Sequence, residues 1–164
     1  MPLPLFSEEN LIIPLCASAT AVTSNTEMDS FHMKGYDHAT IVIIPSSSLT
    51  GDNVLTVECG ASDSADTSDA TFHYRLASAA IGSANADVLA TDATAATLTL
   101  TAATYQNKML VLEIDASELP SSGNTIYDWI TVDFDGTASA GTVAAVAILS
   151  RARKAEAVMD TALA

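Results

Sequence analysis

The chain has 164 residues, 49% of them hydrophobic, 16% charged and 5% aromatic, with six Lys and Arg against twenty Asp and Glu for a formal net charge of -14. That length suits one domain with a real core, and so large an excess of acid excludes nucleic-acid binding by the body, which would need Lys and Arg to neutralise phosphates. Ala supplies much of the apolar fraction and buries little area, at about 25 cal/mol per Å2, so a thin core supplemented by oligomerisation is expected.

Residues 1–27 read as an extended arm. Pro2, Pro4 and Pro14 oppose a regular helix and confine any strand to an edge. The apolar patch of Leu11, Ile12 and Ile13 suits either completion of the chain's own sheet or an excursion across a neighbouring subunit. The N-terminus lacks the basic leader of a secretion signal. No apolar run reaches the ~18 residues needed to cross a bilayer, so the chain reads as soluble, with no membrane partner.

In the body, residues 31–33 are short and β-compatible, and 34–37 offer a turn. Residues 39–44 form a β-branched run ended by Pro45, expected as a central strand buried on both faces because it lacks polar alternation. Residues 53–59 alternate, with Leu55, Val57 and Cys59 on one side and Thr56 and Glu58 on the other, which predicts a half-exposed strand. An exposed loop carrying Asp63, Asp66 and Asp69 follows, then a strand at 72–76. The Ala-rich stretch 77–96 is interrupted by Gly82, Asn85 and threonines and reads as loop with a short helical turn. Strands are predicted at 97–101, 108–114 and 126–134, with a turn cluster at 118–124. The 135–141 segment should close a hairpin onto a strand at 142–149. Residues 151–164 suit a short helix or a docking tail.

About eight strands without βαβ alternation predict an all-β fold. The architecture is an antiparallel two-sheet sandwich, of which a jelly roll is one form. It divides into an arm at 1–27, a sandwich domain at 28–150 and a tail at 151–164.

Residues that carry chemistry are sparse. His32, His38 and His73 invite a metal reading, but their spacing matches no zinc pattern, and surface or interface histidines are the simpler account. Asp63, Asp66 and Asp69 lack the alternation, glycine and terminal glutamate of a calcium loop and read as a solvated loop. Asp128, Asp133 and Asp135 form a second acidic group; with acids so abundant, carboxylate pairs arise by chance. There is no Gly-x-Ser-x-Gly elbow, and neither Cys16 nor Cys59 has a base near it in sequence. The cysteines read as buried thiols. Trp129 beside Tyr127 has the shape for stacking on a sugar, although core or interface packing is the commoner role. The chain is therefore expected to be non-enzymatic, without cofactor or metal. Three of its six bases, Arg151, Arg153 and Lys154, cluster near the C-terminus.

The segment FHMKGYDHATIVII at 31–44, together with VLEIDASEL at 111–119, DWITV at 128–132 and VAAVAIL at 143–149 ending in SRAR at 150–153, resembles small β-rich virion proteins of tailed bacteriophages, of the head decoration or capsid cement type. The likeness spans roughly residues 28–153. It implies a non-enzymatic protein, made in the host cytoplasm, that binds the major capsid protein on the outer capsid surface and reinforces it as an oligomer, such as a trimer. The acidic body fits a place outside the shell, away from packaged DNA. Leu11, Ile12 and Ile13, with Arg151, Arg153 and Lys154, are the expected assembly contacts. The alternatives are another virion part, such as a tail or head-fibre base component, and a carbohydrate-binding β-sandwich using Trp129, Tyr127 and an acid-bound calcium.

Overall fold

The computed structural model describes residues 5–136, 141–153 and 163. After one helical turn, α1 (Phe6–Glu9), the chain lays down β1 (Leu11–Pro14), β2 (Thr20–Ala21), β3 (Thr26–Glu27), β4 (Phe31–His32), β5 (Tyr36–Pro45), β6 (Asp52–Gly60), β7 (Ser68–Asp69), β8 (Phe72–Leu76), β9 (Ala93–Ala95) and β10 (Thr97–Thr101). A second turn, α2 (Ala102–Tyr105), leads to β11 (Leu110–Asp115), the small pair β12 (Ser121–Ser122) and β13 (Thr125–Ile126), then β14 (Trp129–Gly136) and β15 (Thr142–Ala152). Among the described residues no helix is long and apolar enough to cross a membrane.

Two antiparallel sheets form the expected sandwich. The first runs β1-β15-β5-β11-β8-β9, with β2 also on β15; the second runs β10-β6-β14-β3, with β4 also on β14 and β7 on β6. Period-two alternation explains why they pack. Ile41 and Ile43 of β5, Leu110 and Leu112 of β11, and Ala147 and Leu149 of β15 are buried from one side. Leu55 and Val57 of β6 and Ile130, Val132 and Phe134 of β14 are buried from the other, and all join one cluster. Phe31, Phe72 and Phe134 are the largest fully buried side chains. Each such burial is worth roughly 1.5–3 kcal/mol.

Several expectations are corrected. The 135–141 segment does not close a hairpin, because β14 already has β6 on one side and β3 and β4 on the other, while β15 lies between β1 and β5. The connection therefore passes from one sheet to the other. It re-enters at Gly141, where φ is +102° and a Cβ would stand 2.7 Å from the Leu49 backbone, a conformation and an approach that glycine alone tolerates. Residues 39–44 are central but not buried on both faces: β5 alternates, and Ile44 is exposed. Three short helical turns form where none was expected: α1, α2 and a 3-10 turn at Ala116–Glu118. In α1 the Leu5 N–H donates to the Glu8 carboxylate at 2.7 Å, downstream of the prolines that oppose a longer helix. The Ala-rich stretch also yields a strand, β9, which pairs with β8.

Residues 11–27 are extended and woven into the body, lending β1 and β2 to the first sheet and β3 to the second. β15 continues through Arg151 to Ala152, so the described start of the expected tail is strand. The tail's residues 154–162 and 164 lie outside the described residues; Leu163 bridges to Phe31. Cys59 is buried and Cys16 partly so, and they are not bonded to each other. Burial pushes the Cys59 thiol up to about 12, which keeps it protonated and inert.

Candidate assembly surface

The alternation that buries one set of side chains in the first sheet turns their neighbours outward. Strand register then sets these neighbours side by side. Ile12 lies opposite Ile148 and Pro14 opposite Val146 across β1 and β15. Val146 lies opposite Val42, and Ala144 opposite Ile44, across β15 and β5. Val42 in turn lies opposite Val111 across β5 and β11. The result is an uncharged aliphatic face across β1, β15 and β5, bordered on β11 by the buried Val111. Ile12 is 49% exposed, and Val146 and Ile44 are 37% exposed.

The face becomes charged towards β8, where Arg75 lies opposite Val111 and His73 opposite Glu113. A shallow cavity of about 340 Å3 there is lined by His38, His73, Glu113, Asp115, Glu118 and Arg151, among others. Asp115 is held below its ordinary range chiefly by two hydrogen bonds from Ser117, with His38 and Arg151 adding to the effect. His73 is pushed up by its hydrogen bond to Asp92, at 2.8 Å.

Charge divides unevenly between the sheets. The strands of the second sheet carry Glu27, Asp52, Glu58, Asp69, Asp133 and Asp135 and no Lys or Arg. Those of the first carry three acids, Asp37, Glu113 and Asp115, offset by Arg75 and Arg151. In a protein of net charge -14, the first sheet is thus the less repulsive face for an apolar contact.

The predicted contact residues fall along one margin of this face. Ile13 points into the core and Leu11 packs half-buried against it, leaving Ile12 as the outward member of the patch. Because Leu11 lies opposite Leu149, Arg151 and Arg153 follow close by. Arg151 pairs with Asp115 at 3.6 Å, and Arg153 with Asp37 at 2.5 Å. Lys154 lies outside the described residues. Sequence reasoning missed Val42, Ile44, Val146 and Ile148 as surface residues. The available signal was that the runs 39–44 and 143–149 are apolar at both parities, which suits a sandwiched strand or an interface equally.

The remaining candidates are distributed elsewhere. His32 stacks on Trp129 with ring centroids 4.6 Å apart, and its Nε2 lies 3.0 Å from Asp128. One face of the Trp129 ring is thereby occupied. His38 and His73 line the same shallow cavity while His32 lies on the other sheet, and among the described residues no group of three His, Cys, Asp or Glu is placed to hold a metal ion. Members of the two acidic groups, however, come together: Asp66 and Asp69 of the first with Asp133 of the second. Asp69 lies opposite Glu58 across β7 and β6. Glu58 and Asp133 are diagonal neighbours across β6 and β14, and Asp133 lies opposite Glu27 of β3. The 60–66 segment folds back over this row: a Cβ on Gly60 would meet the Ala65 carbonyl at 2.2 Å. The Ser64 N–H donates to Ser30 Oγ, which is itself 2.6 Å from the Thr131 hydroxyl.

No family model matches the chain, and no curated protein does either. Among solved structures similar to it is the SPBc2 prophage-derived protein YomS, at 12% identity over 86% of this chain and 92% of that one, with a TM-score of 0.46. Another, described as Desmodium yellow mottle tymovirus, is 12% identical over 97% of each chain, with a TM-score of 0.33. At these scores neither likeness bears on function.

Proposed function

We propose that this is a non-enzymatic virion protein that binds the outer surface of a tailed-phage capsid and stabilises it as a decoration protein. The observation that carries the reading is the uncharged outer face of the first sheet, bearing Ile12, Ile44 and Val146 on a protein of net charge -14. Contiguous exposed aliphatic surface mismatches water and marks an interaction site. At ordinary strand spacing and rise the face covers roughly 300 Å2, against about 800 Å2 per partner in a standard stable complex. One copy on one partner is therefore a weak pair. Several copies held by a lattice, or an oligomer presenting several faces, supply the missing area through avidity. The major capsid protein of the encoding phage, repeated over the shell, is such a partner. Arg151 and Arg153 at the margin suit acidic groups on that shell.

Co-sedimentation with purified empty capsids of the encoding phage tests this. Binding should saturate at a fixed ratio of copies to capsid subunits, and decorated capsids should resist heat better than bare ones. Absence of binding at any concentration, or binding without saturation, would remove the proposal.

A further inference from the structure

The acidic row on the second sheet has a different character from the apolar face and is independent of capsid binding. Like charges directly opposite on paired strands are destabilising, yet the fold sets Asp69 against Glu58 and Glu27 against Asp133. Asp133 is only 5% exposed, and its Oδ1 is buried without a hydrogen-bond partner among the described residues. A buried acceptor left in that state calls for a donor. Groups facing Glu58 come from every packed element: Asp69 from β7, Asp66 from the covering segment, Asp133 from β14 and Glu27 from β3, with Asp135 further along β14. All are acids. The closest histidine on this sheet, His32, is engaged by Asp128. Because the buried oxygen is closed to solvent and no three of the described acids are placed to hold a metal ion, the species that fits is a proton.

We infer that the row of Glu58, Asp69, Asp133 and Glu27 keeps one proton at neutral pH, and that its loss charges the row and loosens the 60–69 cover. The electrostatics agree. Burial first, and then the charges of Asp66, Asp133, Glu27 and Asp69, push Glu58 up to about 7, and burial likewise raises Asp133. Since Glu58 holds its proton more tightly folded than unfolded, the stabilisation is complete below about 4.5 and is lost as pH rises through about 7.

The test uses the full chain. Carbon-13 NMR should show the Glu58 carboxyl titrating near 7 rather than near its ordinary 4.5. Thermal melts at about pH 5.5 and about pH 8 should show Tm falling by several degrees on the alkaline side. The His73–Asp92 pair contributes a slope of the same sign, so the melts are run in a His73→Gln background, where adding Glu58→Gln should abolish the fall. Should that variant not fold, Glu27→Gln at the rim should lower the Glu58 midpoint by removing one facing charge. A Glu58 midpoint near 4.5, an unchanged slope in Glu58→Gln, or a Tm at about pH 8 raised by calcium and reversed by chelator would overturn the inference, the last by showing that a cation fills the row.

Discussion

Aspartate in place of Val146 should weaken attachment to the capsid by about 100-fold while leaving the protein folded, because a charge buried at an apolar contact without a partner costs about 3 kcal/mol. Val146 sits mid-face, opposite Pro14 on one side and Val42 on the other. In the unbound protein its side chain is partly solvated, so the substitution costs the fold only about 1 kcal/mol, the span of strand preferences. Ile126→Asp is the matching control. Ile126 is equally apolar and more exposed, but it lies on the β12–β13 pair, outside both large sheets. The control should bind as the wild type does. Capsid-binding isotherms of the two variants, with melts to establish folding, separate a specific face from general stickiness. Equal binding by Val146→Asp and wild type would place the contact elsewhere.

Truncating Phe134 to alanine should destabilise the isolated protein by about 3–5 kcal/mol, among the largest effects available to a single substitution here. Phe134 points inward from β14, is fully buried, and lies opposite Leu55 of β6. Its removal leaves a cavity between the two sheets that neither strand can collapse to fill, since each is held by partners on both sides. For a chain of this length that loss corresponds to a fall in Tm of roughly 10 °C. Ile44→Ala, on the outer face of the first sheet, should cost less than about 1 kcal/mol in the same assay. The contrast matters for function: inward residues act on stability, outward ones on binding. Similar losses for both variants would mean that the outer face is covered within the monomer.

Much of this was legible in the sequence because alternation is a local property. Leu55, Val57 and Cys59 against Thr56 and Glu58 announce a one-sided strand, and 97–101 and 126–134 do the same. Strand pairing is not local. Nothing within 135–141 says that β14 already has partners on both sides, so the hairpin was the natural and mistaken expectation. The run at 39–44 looked buried on both faces because an aliphatic side chain has the same composition signature beneath a second layer as it has on an unfilled interface. The sequence marks residues 11–13 as a contact, but only register shows that Ile12 alone faces outward and that it extends a face built mainly by β15 and β5. The stack of His32 on Trp129 and the convergence of Asp66 and Asp69 with Asp133 join segments more than sixty residues apart in the chain. Taken one at a time in the sequence, they read as a surface histidine, a solvated loop and a chance pair of acids.

The account stands on the first sheet facing the shell. A cryo-electron-microscopy reconstruction of capsids incubated with the full chain measures this directly. It should show density at lattice-defined positions outside the shell, with β1, β15 and β5 against the capsid and the acidic second sheet turned to solvent. Ordered density with the second sheet against the capsid, or a shell without bound protein at saturating concentration, would contradict it.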